Sequence, residues 1–172
     1  QITSLVHITS QNSEMIFEQS ATADSNAGLY FYGTASNTFR IQVHNGSSSQ
    51  LYDFTYTLPS YPVVITVRAD ISANPFRVEL WVDGERKANG SVALAAGAFL
   101  ANTLNVGCRN GSSLSSDGAF GDLFVHNRWT PDDILSHWHR NLWAIYEPRR
   151  IWVPVSAGGG IDIAGVVGNA TA

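Results

Sequence analysis

Apolar and polar residues alternate with a period of two along most of the chain. Val63, Ile65, Val67 and Ala69 alternate against Val64, Thr66 and Arg68. Phe76, Val78, Leu80 and Val82 alternate against Arg77, Glu79, Trp81 and Asp83. That period puts successive side chains on opposite faces, so each run reads as a strand with one dry and one wet face. Asp83-Gly84 then predicts a tight turn into the strand of residues 85–88. Phe39, Ile41 and Val43 alternate in the same way against Arg40, Gln42 and His44. Asn45-Gly46-Ser47 predicts a turn and residues 51–56 the returning strand.

The remaining runs are shorter. Residues 3–9 and 14–18 are apolar-rich and flank Ser10-Gln11-Asn12-Ser13, which predicts a hairpin loop. Residues 21–28 read as loop, and Leu29-Tyr30-Phe31-Tyr32 as an aromatic strand. Asn89-Gly90-Ser91 predicts a further turn. Residues 93–98 leave helix, loop and strand open. Leu104, Val106 and Cys108 alternate with Asn105 and Arg109, and residues 110–118 form a polar loop. Many short strands separated by turns predict a two-layer β-sandwich or barrel.

One helix stands out. After the apolar run 121–127, Thr130-Pro131-Asp132-Asp133 announces its start. Thr130 is suited to cap it, Pro131 to its first position, and the two aspartates to the positive end of its dipole. Ile134, Leu135, Trp138 and Leu142 keep helical spacing, which predicts a helix over 131–141. Pro148 ends the pattern, and residues 149–155 alternate again as a last strand. Residues 156–172 shift to small residues and read as an extended arm outside a domain of residues 1–155.

Two stretches resemble known proteins. Leu80-Trp81-Val82-Asp83-Gly84, followed by the run from Gly121 to Ile134, resembles the end of a concanavalin A-like, laminin-G-like domain. That resemblance implies an all-β fold: a two-sheet antiparallel jelly-roll sandwich with one short C-terminal helix. The segment NLWAIYEPRRIWVPV, residues 141–155, resembles a C-terminal segment of tailed-bacteriophage virion proteins. Leu142 stands where that segment has proline. The resemblance implies a structural module on the particle surface, as a capsid decoration or a tail or fibre component. It implies virion proteins and further copies of the chain as partners, with adhesion to a host glycan as an added role.

Composition narrows the classes. Charged residues make up 14% of the 172, against roughly 25% in ordinary soluble domains. The net charge is −4 with no basic run, which argues against a nucleic-acid footprint. No run approaches the ~20 apolar residues of a membrane-spanning helix. Cys108 is the sole cysteine, so the fold must stand on its core, and a free thiol suits assembly in a reducing cytoplasm. Gln1 leads almost at once into a strand, so the chain reads as part of a longer one.

Candidate chemistry points to binding and away from catalysis. Glucanases of this fold carry three acids on one strand, and no such motif occurs. Glu79 and Asp83 lie four residues apart, hence ~13 Å along a strand, too far for a retaining pair. His137 and His139 project about 200° apart on a helix and suit surface positions beside a buried Trp138. The Asn-Gly-Ser triplets at Asn45, Asn89 and Asn110 read as turns. No cofactor is implied. Asp117 and Asp122 are conceivable but unspecific oxygen donors for calcium.

Trp81, Tyr30 and Tyr32 fall on wet strand faces and are the candidates for a carbohydrate-binding platform. The competing reading is that this face packs against the helix or a neighbouring subunit. Trp129, Trp143, Arg149, Arg150 and Trp152 cluster near the end, and Ile161, Ile163, Val166 and Val167 make the arm apolar. These are the candidates for protein contact. A non-catalytic virion module is the leading expectation, and a carbohydrate-binding module of a cell-surface or secreted protein is the alternative.

Overall fold

A computed structural model describes residues 1–9, 12, 14–19, 28–45, 48–72, 74–93, 102–109 and 114–145. Within them ten strands form two five-stranded antiparallel sheets. The first has the order β10 (Gly118–Val125), β1 (Ile2–Ile8), β6 (Val63–Asp70), β7 (Phe76–Val82), β8 (Glu85–Val92). The second has the order β5 (Ser49–Thr55), β4 (Thr38–His44), β3 (Gly28–Ala35), β2 (Met15–Gln19), β9 (Leu104–Val106). This is the jelly-roll sandwich.

The dry faces predicted from the alternation meet between the layers. Val63, Ile65 and Val67 of β6 and Phe76, Val78, Leu80 and Val82 of β7 pack against Leu29, Phe31, Phe39, Ile41 and Val43 of the other sheet. Phe31 and Phe39 stack at 5.1 Å between centroids, and Phe39 and Phe54 at 5.9 Å. Burying each such ring stabilises the fold by about 1.5–3 kcal/mol.

Asp83 and Gly84 turn β7 into β8 with φ of 47° and 83°. Both lie in the left-handed region, which Gly adopts freely and Asp tolerates. The Asp83 carboxylate accepts from Val64 N–H at 2.9 Å, which ties the turn to β6.

Two local expectations fail. β1 and β2 are not a hairpin: β1 pairs with β10 and β6, and β2 with β3 and β9. Both runs carry apolar residues to the core from opposite layers, so the link between them crosses from sheet to sheet. Asn89-Gly90-Ser91 is not a turn but the continuation of β8, paired with Glu79, Val78 and Arg77. The Tyr52 ring lies against Gly90 where a side chain would be, and its hydroxyl donates to Asn89 O at 2.8 Å.

Helix α1 (Asp132–Arg140) and a 3₁₀ turn (Leu142–Ile145) lie on the outer face of the first sheet. Leu135, Trp138 and Ala144 pack on Trp81 of β7. Ser136 Oγ donates to Gly84 O at 3.0 Å, pinning the helix to the β7–β8 turn. Asp132 and Asp133 occupy the first turn, as the charge pattern predicts. The cap differs from expectation: Pro131 holds the cap position without a side-chain hydrogen bond. Thr130 is pulled inward instead, because its carbonyl accepts from Arg68 Nη1 at 2.7 Å.

Candidate functional site

Each sheet presents an outer face: α1 lies on that of the first, and part of that of the second is open. On the first sheet, α1 closes the face over β6 and β7. Arg68 and Glu79 are fully buried beneath it. Arg68 donates through Nε to Glu79 at 3.0 Å and through Nη2 to Asp132 of the helix at 2.8 Å. Its guanidinium lies 4.2 Å from the Trp129 ring centroid and 4.9 Å from that of Trp81. Arg77 covers the other side of Trp129 at 4.4 Å. Trp81 Nε1 donates to Glu79 at 2.8 Å. Burial alone would raise the Glu79 carboxyl, but hydrogen bonds from Trp81 and Arg68 outweigh it and hold it below the usual range.

These contacts bear out the reading that the Trp81 face packs against the helix, and they correct the surface position expected of His139. Trp81 is 5% exposed and offers no platform to a sugar. The alternation rightly turns it outward, but the face it reaches is covered by α1. Trp129 is half-buried between two arginines and acts first as an intramolecular contact. His139 is not a surface residue. It is 6% exposed, with Nε2 2.7 Å from Thr66 Oγ1, which lies 2.7 Å from Thr3 Oγ1. Burial above all, then repulsion by Arg68, pushes its pKa down to about 4, against an opposing hydrogen bond to the Val64 backbone.

On the second sheet, the outer face carries side chains in rows across the strands. One row runs Asn105, Glu18, Tyr30, Gln42, Leu51 from β9 to β5. The next runs Tyr32, Arg40, Asp53 across β3, β4 and β5. Glu18 and Tyr30 are 1% exposed and Gln42 is 7% exposed, so the first row is sunken up to the edge, where Leu51 is 47% exposed. The second row is open: the Arg40 and Asp53 side chains are 27% and 46% exposed, and Tyr32 is half-buried.

Arg40 binds Asp53 through two parallel bonds, Nε to Oδ1 at 2.5 Å and Nη2 to Oδ2 at 2.6 Å. Its guanidinium lies 5.9 Å from the Tyr32 ring centroid, and Tyr32 Oη donates to Gln42 Oε1 at 3.2 Å. Asn105 Nδ2 donates to Glu18 Oε2 at 3.2 Å. Hydrogen bonding to Asp53 holds Arg40 above its usual range and draws the Asp53 carboxyl below its own. The arrangement is a fixed polar ledge of planar groups beside an aromatic ring.

Of the sugar-platform candidates, Tyr32 alone lies on this ledge with part of its surface open. Arg40 and Gln42 were legible as the wet face of β4. Asp53 was not singled out, because Leu51, Asp53 and Thr55 alternate on an edge strand with little apolar contrast. Asp117 and Asp122 are exposed, and the described residues contain no grouping of three or more His, Cys, Asp or Glu that would hold a metal ion. Among the described residues no helix is long and apolar enough to cross a membrane. Trp143 falls in the 3₁₀ turn. Arg149, Arg150, Trp152, Ile161, Ile163, Val166 and Val167 lie outside the described residues, as do the last strand and the arm.

No protein-family model and no curated protein matches the sequence. Solved structures do match the fold. A CBM40 carbohydrate-binding module of the Ruminococcus gnavus IT-sialidase, bound to α2,3-sialyllactose, aligns with a TM-score of 0.59 at 18% identity, over 80% of each chain. The same module bound to α2,6-sialyllactose gives 0.62 at 17% identity, over 80% of this chain and 81% of that one. A leech intramolecular trans-sialidase gives 0.60 at 20% identity, over 80% of this chain but 22% of its own. The shared feature is the β-sandwich. The comparisons give the virion reading no support.

Proposed function

We propose that this chain is a non-catalytic carbohydrate-binding module. It holds a glycan on the outer face of its second sheet, against Tyr32, Arg40 and Asp53. The observation that carries the reading is the open ledge itself. Planar donors and acceptors, locked in place by mutual hydrogen bonds, lie beside a half-exposed aromatic ring. Sugars are recognised in this way: the ring packs on the apolar C–H face, and planar polar side chains bond neighbouring hydroxyls. Prior fixing of Arg40 by Asp53 lowers the ordering cost of binding. The fold likeness to sialidase-borne binding modules supports the same class. The other polar face is spent on holding α1, and the Arg68–Glu79 pair at its centre is buried.

The virion setting rests on the resemblance of residues 141–155 alone. On a particle surface a glycan-binding sandwich would serve adhesion to a host, so the two readings are compatible. A glycan array probed with the purified protein tests the proposal. Concentration-dependent binding to a related set of glycans supports it. A blank array, with the protein folded, defeats it.

A further inference from the structure

The charge balance of the ledge names a ligand class; this step rests on the glycan-binding reading above. In the open row of the second sheet's outer face, the guanidinium of Arg40 stands opposite the Asp53 carboxylate. The Nε–Nη2 edge of Arg40 is one of the two edges through which a guanidinium grips a carboxylate with two parallel bonds, and Asp53 already fills it at 2.5 and 2.6 Å. The Asp53 side chain is 46% exposed, so its charge also faces whatever approaches. An acidic sugar would have to displace Asp53 or sit beside it. A neutral sugar meets no such obstacle, and the Asp53 oxygens are ready partners for its hydroxyls.

We infer that the ledge selects neutral, hydroxyl-rich glycans, and that Asp53 rejects acidic ones by filling the side-on edge of Arg40, compensating its charge and presenting a carboxylate of its own. This sets the chain apart from the modules of similar fold that were solved with sialyllactose.

The test is an array printed as matched pairs, each glycan with and without terminal sialic acid, probed with the native protein and with Asp53→Asn. The native protein is expected to favour the neutral members. Asp53→Asn keeps the side-chain shape and removes the charge. It is expected to raise binding of sialylated members relative to their neutral partners by about five-fold, the effect of deleting one like charge at contact range in water. A native preference for sialylated members overturns the inference and leaves the glycan-binding reading intact. So does weaker sialoside binding by Asp53→Asn, which would make Asp53 a positioning residue for Arg40. Failure of both proteins to bind any glycan overturns the reading and the inference together.

Discussion

Arg68 and Glu79 stand directly opposite each other on β6 and β7, and neither side chain touches solvent. Their pair is the anchor of α1, because the same guanidinium also holds the Thr130 carbonyl and Asp132. Glu79 in turn accepts from Arg77 and from Trp81. Arg68→Ala would leave a buried carboxylate short of its main partner and the helix untethered. Breaking a buried pair from one side costs about 3–5 kcal/mol. Urea denaturation of Arg68→Ala should show a loss of that size. A loss under about 1 kcal/mol would mean that the helix is held by its apolar face alone.

Trp81 makes a second, independent case. Its ring is covered by Leu135, Trp138 and Ala144. Trp81→Ala should cost about 3–5 kcal/mol in the same assay, the usual range for a large buried aromatic. Its glycan-array pattern, measured where the variant is folded, should match that of the native protein. Selective loss of glycan signal would return Trp81 to the binding site.

His139 makes stability depend on pH. Its pKa is pushed down to about 4 in the fold, against about 6.5 in an unfolded chain. Between those values the unfolded chain takes up a proton that the folded one refuses, so stability falls as pH drops from 6.5 to 4. The loss at this group is roughly 3 kcal/mol when complete. Glu79, whose carboxyl is depressed, adds a loss in the same direction at still lower pH. Melting temperatures from pH 7.5 to 4 should decline steeply in the native protein and less steeply in His139→Gln. Parallel curves would contradict this assignment.

Gly118 sits where β10 meets β1. A Cβ added there would lie 2.2 Å from the His7 carbonyl oxygen, a backbone atom that cannot step aside. Gly118→Ala must therefore push the two strands apart. The expected cost is about 2 kcal/mol, or roughly a 5 °C fall in Tm for a chain of this size. An unchanged Tm would mean that the strand end yields freely.

Much of the sandwich was legible because one face of each central strand is dry. The alternation of Val63, Ile65 and Val67, and of Phe76, Val78, Leu80 and Val82, names core residues directly. What alternation does not reveal is what covers the other face. Arg68, Glu79 and Trp81 were turned outward correctly, and then sealed by a helix about fifty residues further along the chain. Long-range pairing was equally hidden. Nothing local says that β1 and β2 belong to different sheets, or that Gly90 is small to admit Tyr52. The ledge was half legible: Tyr32, Arg40 and Gln42 follow from the wet faces of β3 and β4. Asp53 needed the register of β5, which no local signal supplies.

The most direct measurement is calorimetric titration of the strongest array glycan into the native protein and into Arg40→Ala. Arg40 is partly exposed, so its removal should leave Tm within a few degrees. Affinity should fall about ten-fold or more, because Arg40 holds the Asp53 carboxylate in place for its charged hydrogen bonds to the sugar. Equal affinity in a folded Arg40→Ala protein would contradict the claim that this ledge holds the sugar.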